Sequence, residues 1–408
     1  MTSVEDAADP PAPRSRGSSD DRTFGLPVTA ALAILLTLHL GGAVAAVAGA
    51  NDRVDEVIAR YDRVATSPVR PYLYFPVEWM PVQTGLVLLM GGGGTAATAA
   101  KVAGVAFVAQ AAVAAALAYG WGRRRAAIGL LIGLPIVAVS SARIDLVAVA
   151  LAAWAFALAR RRLDGAAGAT LAVGILSGFW VVLLAPFALI GRRPIFAWLG
   201  AAVLVVGGAG WFLYGGPDGP MQVLSYRGAT GWDVQSTIGA VLDASTSMAT
   251  FVEGGIERIG YASPLARGAI LAVVVITTLF AWWRHRRPGA DPAGVALTVT
   301  AAALAVSPTF DPVWVAWLVP WAAVVAGGDR GRAGAAWLAV VLTGVIVVVG
   351  GEDGRSVTAW LVLARAGILL GVALAGLRRP PAPADAASER EPGPAALTPG
   401  TTEGWAEG

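Results

Sequence analysis

The chain contains no cysteine, two histidines and a single lysine. Without cysteine there is no disulfide, no thiolate metal site and no cysteine nucleophile, and His39 and His285 are too few for a histidine-rich metal centre. Charged residues make up only 14% of the 408 residues, against about 25% in soluble domains. The formal net charge of +3 is too small to indicate a nucleic-acid partner. Any chemistry therefore belongs to carboxylates, arginines and hydroxyl groups.

Hydrophobic residues, by contrast, form 56% of the chain and occur in long runs separated by short arginine clusters. This alternation is typical of a polytopic membrane protein. Because cytoplasmic loops are enriched in basic residues, we place six clusters on the cytoplasmic side: 123–125, 160–162, 192–193, 284–287, 330–332 and 378–379. The sequence then predicts an all-α protein of about 12 transmembrane helices with both termini in the cytoplasm.

The polar ends of the chain, 1–26 and 380–408, are predicted as disordered cytoplasmic tails. They flank a transmembrane domain at 27–379 that begins with an uncleaved span. Each apolar run between arginine clusters is long enough for a hairpin, with predicted tips at 143–145, 177–178, 307–312 and 352–355. The run 82–98, with its glycines at 91–94, is predicted as an interfacial or re-entrant element before a span near 99–119.

This topology puts the first outer loop, 51–81, the long outer segment, 215–266, and polar groups of the hairpin tips on one membrane face, the extracytoplasmic one. Ionisable residues in or beside membrane spans are costly and are functional candidates by default. The sequence therefore predicts a site that faces outward.

The first outer loop combines carboxylates with aromatic rings: Asp52, Asp55, Glu56, Arg60, Tyr61, Tyr72, Tyr74, Glu78 and Trp79. A carboxylate can accept a proton from a sugar hydroxyl, and rings can stack on sugar faces. Outside the cell no nucleotide sugar is available, and a sugar carried on a lipid phosphate would solve that supply problem. Arginines would bind that phosphate.

The segment at 71–81, which reads PYLYFPVEWMP, resembles the signature PYRDFxVEYPP of the actinobacterial members of glycosyltransferase family 87. These are membrane enzymes of the GT-C fold that use polyprenyl-phosphate sugars. Further stretches are similar to the family's motifs in the same order: 143–146, 174–186, 231–237, 307–310 and 317–320. The resemblance extends over residues 27–378.

The resemblance implies a GT-C-like fold and a catalytic aspartate in the first outer loop, for which Asp55 is the choice and Asp52 the rival. We assign the donor phosphate to Arg143, with Arg60 and Arg227 as alternates. Predicted substrate contacts are Tyr61, Tyr72, Tyr74, Glu78, Trp79, Asp145, Trp232, Asp233, Gln235 and Ser236. The expected activity is an inverting transfer of a sugar, mannose in our expectation, to an envelope lipid or glycan at the plasma membrane. Neither a metal nor a cofactor is expected, and the partners are membrane lipid, the lipid-linked donor and the acceptor.

Two departures from the family pattern keep other functions open. Where the family has a lysine in an inner hairpin, this chain has Ser177 and Gly178, and Tyr74 replaces an acid. A catalytically inactive GT-C relative is therefore one alternative. A transporter or flippase of lipid-linked material is another, although transporters of this kind often contain internal repeats and we find none that is convincing.

Overall fold

The computed structural model describes residues 25–48, 52–69, 71–72, 77, 79–189, 192–224, 230–253, 256–286, 291–349 and 355–378. The chain is mainly helical. In its first half the helices are α1 Gly25–Val47, α2 Asp52–Thr66, α3 Pro81–Met90, α4 Thr95–Trp121, α5 Arg123–Gly133, α6 Val137–Ser140, α7 Leu146–Arg160, α8 Asp164–Ser177 and α9 Ala185–Ala188. In its second half they are α10 Pro194–Gly215, α11 Asp218–Leu224, α12 Thr237–Ser245, α13 Pro264–His285, α14 Pro292–Val306, α15 Val319–Val325, α16 Arg330–Val349 and α17 Arg355–Arg378.

Six helices in the described part of the chain are long and apolar enough to cross a membrane: α1, α4, α10, α13, α16 and α17. The other apolar helices are shorter, at 10–17 residues. These six helices indicate a multi-pass membrane protein. The count of about 12 spans and the location of the termini stay predictions.

The predicted hairpin breaks coincide with real interruptions of the helices. The first lies between α6 and α7, the second follows α8 at Gly178, and the third separates α14 from a 3₁₀ helix at Pro312–Leu318. Further 3₁₀ helices span Leu134–Ile136 and Phe179–Leu184. A proline occupies the first turn of each of the two 3₁₀ helices that begin at 134 and 312, where its missing N–H costs no helical hydrogen bond. The tip predicted at 352–355 falls almost wholly outside the described residues.

The element at 82–98 contains a short helix, and its interfacial or re-entrant placement stays a prediction. Helix α3 has only 10 residues, about 15 Å of rise, so it is too short to cross a bilayer of about 30 Å. The glycines Gly92, Gly93 and Gly94 follow with φ of 86°, 117° and 88°, in a region that favours glycine. They turn the chain into α4.

The all-helical prediction missed a three-stranded antiparallel sheet in the outer segment, with the order β1–β3–β2. Its strands are β1 Trp232–Asp233, β2 Thr250–Glu253 and β3 Ile256–Ile259. Trp232 pairs with Ile259, and Thr250 pairs with the same residue from the other side. Strands of two to four residues are too short for an alternating pattern to stand out in the sequence.

The arginine clusters gather at one end of the helix bundle. Hydrogen bonds join several of them to the ends of other helices, among them Arg125 to the Ala323 carbonyl, Arg161 to the Tyr119 carbonyl and Arg284 to the Arg378 carbonyl. The breaks after α6 and α14 meet at the opposite end through contacts given below. The arginine clusters and the two helix breaks thus lie at opposite ends of the bundle, as the sequence predicts.

Small residues allow close helix packing in this core. A Cβ atom on Gly168 of α8 would overlap the backbone carbonyl of Phe196 on α10, and Gly200 of α10 faces the backbone of Gly168. Backbone contact at glycine is the usual means of packing helices in a membrane, where apolar side chains gain little by leaving lipid.

Candidate functional site

Helix α2 forms because its apolar residues fall on one face. Ile58, Tyr61 and Val64 are buried on that face, while Asp55 and Glu56 in the first two turns are exposed. At 100° per residue Asp55 and Asp62 lie at nearly the same angle on the helix. The Asp62 carboxylate accepts hydrogen bonds from the Thr98 hydroxyl (2.9 Å) and the Gly92 amide (3.3 Å). Asp55 thus lies in the solvent-exposed part of a helix that is fixed further along by Asp62.

The aromatic residues of the first outer loop pack on one another. The rings of Tyr61 and Trp79 are 5.0 Å apart, and the Arg60 guanidinium carbon lies 5.0 Å from the centre of the Trp79 ring. The Tyr72 hydroxyl donates to the Trp79 carbonyl at 2.6 Å, and Tyr72 has a φ of 71°. Tyr61, Tyr72 and Trp79 are buried in this structure, where they pack against α2 and Arg60.

Two hairpin tips meet through an ion pair. Arg143 Nη2 lies 2.7 Å from Asp311 Oδ2, and both side chains are mostly buried. Beside this pair, Gln83 Nε2 donates to Asp145 Oδ1 at 3.3 Å. Arg143, Asp145 and Asp311 all act electrostatically on the buried Tyr61 of α2. The predicted residues Tyr61, Arg143 and Asp145 are therefore brought together, and Asp311 joins them as a residue that sequence reasoning did not select.

Burial changes the protonation of this group. It raises the pKa of Asp145 to about 6, with a further contribution from the Asp311 carboxylate and against the pull of Arg143. Burial also raises the pKa of the Tyr61 hydroxyl, which stays protonated and can donate a hydrogen bond. Because perturbed carboxyl groups concentrate at functional sites, the pair Tyr61 and Asp145 marks this junction as a candidate site.

The outer segment docks on the third tip through Asp233. Its Oδ2 accepts from the Phe310 amide at 3.0 Å, and its Oδ1 accepts from the Gln235 amide at 2.8 Å. Burial raises the pKa of Asp233 to about 6, although both hydrogen bonds oppose that shift. Ser236 caps α12 by accepting from the Gly239 amide at 3.0 Å, and Trp232 is buried beside the sheet. In this structure Asp233 and Ser236 have structural partners, and their contact with substrate stays a prediction.

Arg365 on α17 is a functional candidate that sequence reasoning missed. Its side chain is 2% exposed, Nη2 donates to the Gln235 carbonyl at 2.5 Å, and its guanidinium carbon lies 3.6 Å from the centre of the Phe310 ring. Among the described residues Nε and Nη1 have no hydrogen-bond partner. The signal was present, because a single arginine within an apolar helix is a candidate by default.

Other predicted residues are not brought into this group. Tyr74, Glu78 and Arg227 lie outside the described residues, as does the side chain of Asp52, whose backbone begins α2. At the hairpin where the family has a lysine, Ser177 is buried and its hydroxyl donates to the Val173 carbonyl. Within the described ranges no three His, Asp or Glu side chains are arranged to hold a metal ion.

No protein-family model and no curated protein matches the chain. Among solved structures, the chain is similar to ArnT from Cupriavidus metallidurans in two crystal structures. For ArnT bound to undecaprenyl phosphate the TM-score is 0.45 with 13% identity, over 86% of this chain and 77% of ArnT. For ArnT in the apo state the TM-score is 0.44 with 15% identity, over 88% of this chain and 77% of ArnT.

Proposed function

We propose that the protein is an inverting GT-C-type glycosyltransferase that moves a sugar from a polyprenyl phosphate to an extracytoplasmic envelope lipid or glycan. The observation that carries the proposal is the meeting of α2 with the tip residues Arg143, Asp145 and Asp311 at the end of the bundle away from the arginine clusters. This junction combines carboxylates, which can act as a base, with a cation that can bind a phosphate, and the Tyr61 hydroxyl lies beside them. Mannose as the sugar and the plasma membrane as the location are part of the same proposal.

In the proposed reaction the carboxylate of Asp55 accepts the proton of an acceptor hydroxyl. The hydroxyl oxygen forms a bond to the anomeric carbon, and the bond from that carbon to the phosphate oxygen breaks on the opposite face, so the configuration inverts. The lipid phosphate leaves with its electron pair, and Arg143 or Arg60 stabilises the added negative charge. Because phosphate leaves well once its charge is stabilised, a second carboxylic acid is not required, in contrast to glycoside hydrolysis.

One observation favours Asp145 as a rival base. Asp55 is exposed, whereas burial holds the pKa of Asp145 at about 6. A base works best when its pKa lies near the operating pH. Asp145 also stands beside Arg143, which is the first choice for the phosphate.

The test is transfer of radiolabelled mannose from polyprenyl-phosphate-mannose to extracted envelope lipids by the purified protein in nanodiscs. We expect Asp55→Asn to lower the rate by about 10² to 10⁴, the range for loss of a general base. Glu56→Gln is the matched control, since it removes an exposed acid from the next position, and it should leave the rate unchanged. Full activity in Asp55→Asn together with loss in Asp145→Asn would transfer the role to Asp145.

Absence of transfer by the wild type with several lipid-linked donors would contradict the proposal. The inactive relative would then be favoured, because Ser177 and Gly178 offer no cation where the family has its lysine.

A further inference from the structure

An apolar groove of about 650 Å³ runs along the outside of the helix bundle between α4 and α7. The α4 wall includes Gly104, Ala109 and Ala112, and the α7 wall runs from Val147 to Trp154. The end of α3, at Leu89 and Met90, overhangs one end of the groove. The groove is not part of the junction described above.

The groove has the depth of one membrane leaflet. From Lys101 to Ala112, the α4 wall covers twelve residues, and the eleven steps between them give about 16 Å of helix rise. The hydrocarbon core of a bilayer is about 30 Å thick, so the groove extends through about half of it. The small residues of the α4 wall, Gly104, Ala109 and Ala112, leave room for a hydrocarbon chain that lies along the helix.

Lys101 stands at the end of the groove that is nearest to the glycine turn, and it is exposed. It is the sole lysine of a chain whose other 29 basic residues are arginines, since lysine and arginine total 30. Its Nζ donates to the Gly92 carbonyl at 3.2 Å, while Asp62 accepts from the amide of the same glycine. A compact ammonium group at the mouth of an apolar groove is complementary to an anionic lipid headgroup.

The groove also leads toward the candidate site. Val147, on its α7 wall, is two residues from Asp145 and four from Arg143. A lipid chain lying in the groove would therefore have its headgroup on the side of the membrane where Arg143 and Asp311 pair.

We propose that this groove binds the single isoprenoid chain of a lipid phosphate from the outer leaflet, with Lys101 binding its phosphate. The inference rests on the proposed function in one respect, namely that the occupant is the donor lipid. It adds the route by which that lipid reaches the site and a cation that the motifs did not indicate.

The test is photocrosslinking of a farnesyl phosphate that carries a diazirine near the end of its chain to the full-length protein in nanodiscs. Crosslinked peptides are expected to map to 104–112 and 147–154. Gly104→Leu places a large side chain in the groove, where an added Cβ has no neighbour within 4 Å, and it should reduce crosslinking at least tenfold. Gly210→Leu is the matched control, since Gly210 on the exposed face of α10 also has no neighbour within 4 Å.

Lys101→Gln should weaken competition by unlabelled farnesyl phosphate by about tenfold, with farnesol and inorganic phosphate as the comparison ligands. Crosslinks that map elsewhere, or that persist in Gly104→Leu, would overturn the proposal that the lipid chain binds in this groove. Equal competition by phosphatidylglycerol would replace the single-chain lipid by an ordinary two-chain one and overturn the stated occupant.

Transfer measured on the same variants separates this inference from the proposed function. Crosslinking in the groove without sugar transfer would support lipid binding in the groove and contradict the proposed enzymatic function. Normal transfer by Gly104→Leu with crosslinks elsewhere would support the enzymatic function and contradict lipid binding in the groove.

Discussion

Asp145 is a carboxyl group that folding makes harder to ionise, although it lies in a turn outside the long spans. Its pKa of about 6 in the folded chain is above the value of about 3.9 in an unfolded chain. The folded state therefore binds its proton more tightly, so the stabilising contribution is complete below about pH 4 and is lost as pH rises through 6. The pKa of Asp233 is also raised, so its contribution to stability changes with pH in the same direction.

We expect the melting temperature of Asp145→Asn, taken relative to that of the wild type at the same pH, to rise from pH 4 to pH 7. The asparagine keeps an oxygen for Gln83 and has no charge to bury. Melting curves from pH 4 to pH 8 measure the effect, and Glu56→Gln should follow the wild type. If the melting temperature changed with pH equally in Asp145→Asn and in the wild type, the Asp145 carboxyl group would ionise in the folded protein as readily as in the unfolded chain.

Arg365 is a second residue whose burial has a cost. Two of its nitrogens have no partner among the described residues, and an unpaired buried polar group costs about 1–3 kcal/mol. We expect Arg365→Met to melt at the same temperature as the wild type or higher, because it removes two buried nitrogens that have no hydrogen-bond partner among the described residues. Transfer activity should fall, since a destabilising group that is kept is expected to serve function.

Arg332→Met on α16 is the control for this measurement. Arg332 is also buried in large part, but its Nη2 donates to the Gly294 carbonyl at 2.9 Å and to the Thr298 hydroxyl at 2.7 Å. Its loss should lower the melting temperature. If Arg365→Met lowered it equally, the charge of Arg365 would be well compensated, with Asp233 as the opposite charge that acts on it.

At the scale of elements, the sequence predicted what local signals determine. The breaks near Arg143, at Gly178 and at Ser307 follow from polar residues, glycine or proline inside apolar runs. The ion pair of Arg143 with Asp311 joins residues from separate hairpins, and nothing in the sequence specifies which tips meet. The bond from Arg365 to Gln235 escaped prediction for the same reason, whereas the sheet escaped because its strands are too short to show an alternating pattern.

The packing of α8 on α10 depends on Gly168. An added Cβ would overlap the Phe196 carbonyl, and backbone cannot move aside as a side chain can. We expect Gly168→Ala to destabilise the protein by about 1–3 kcal/mol. Thermal unfolding in detergent measures the loss, and Gly208→Ala, on the same α10 with no neighbour within 4 Å, should be neutral. Equal stability of the two variants would mean that these helices separate at little cost.

At the scale of the whole molecule, the two-ended bundle predicts which loops face outward. The chain has no cysteine, so single cysteines can report accessibility without a background. Ser245→Cys, in the exposed end of α12, should react with a membrane-impermeant maleimide on intact cells. Gly328→Cys, exposed among the arginine clusters, should react only after the membrane is opened. The reverse pattern would invert the topology and the side of the proposed site.

Lys101 has a practical consequence beyond binding. Its ε-amine is the only side-chain amine of the chain, and it is exposed at the mouth of the groove. An amine-reactive probe therefore modifies one defined side chain of the unmutated protein. The rate of that modification is an intrinsic reporter of whether the groove is occupied, and it can be followed during turnover without an engineered label.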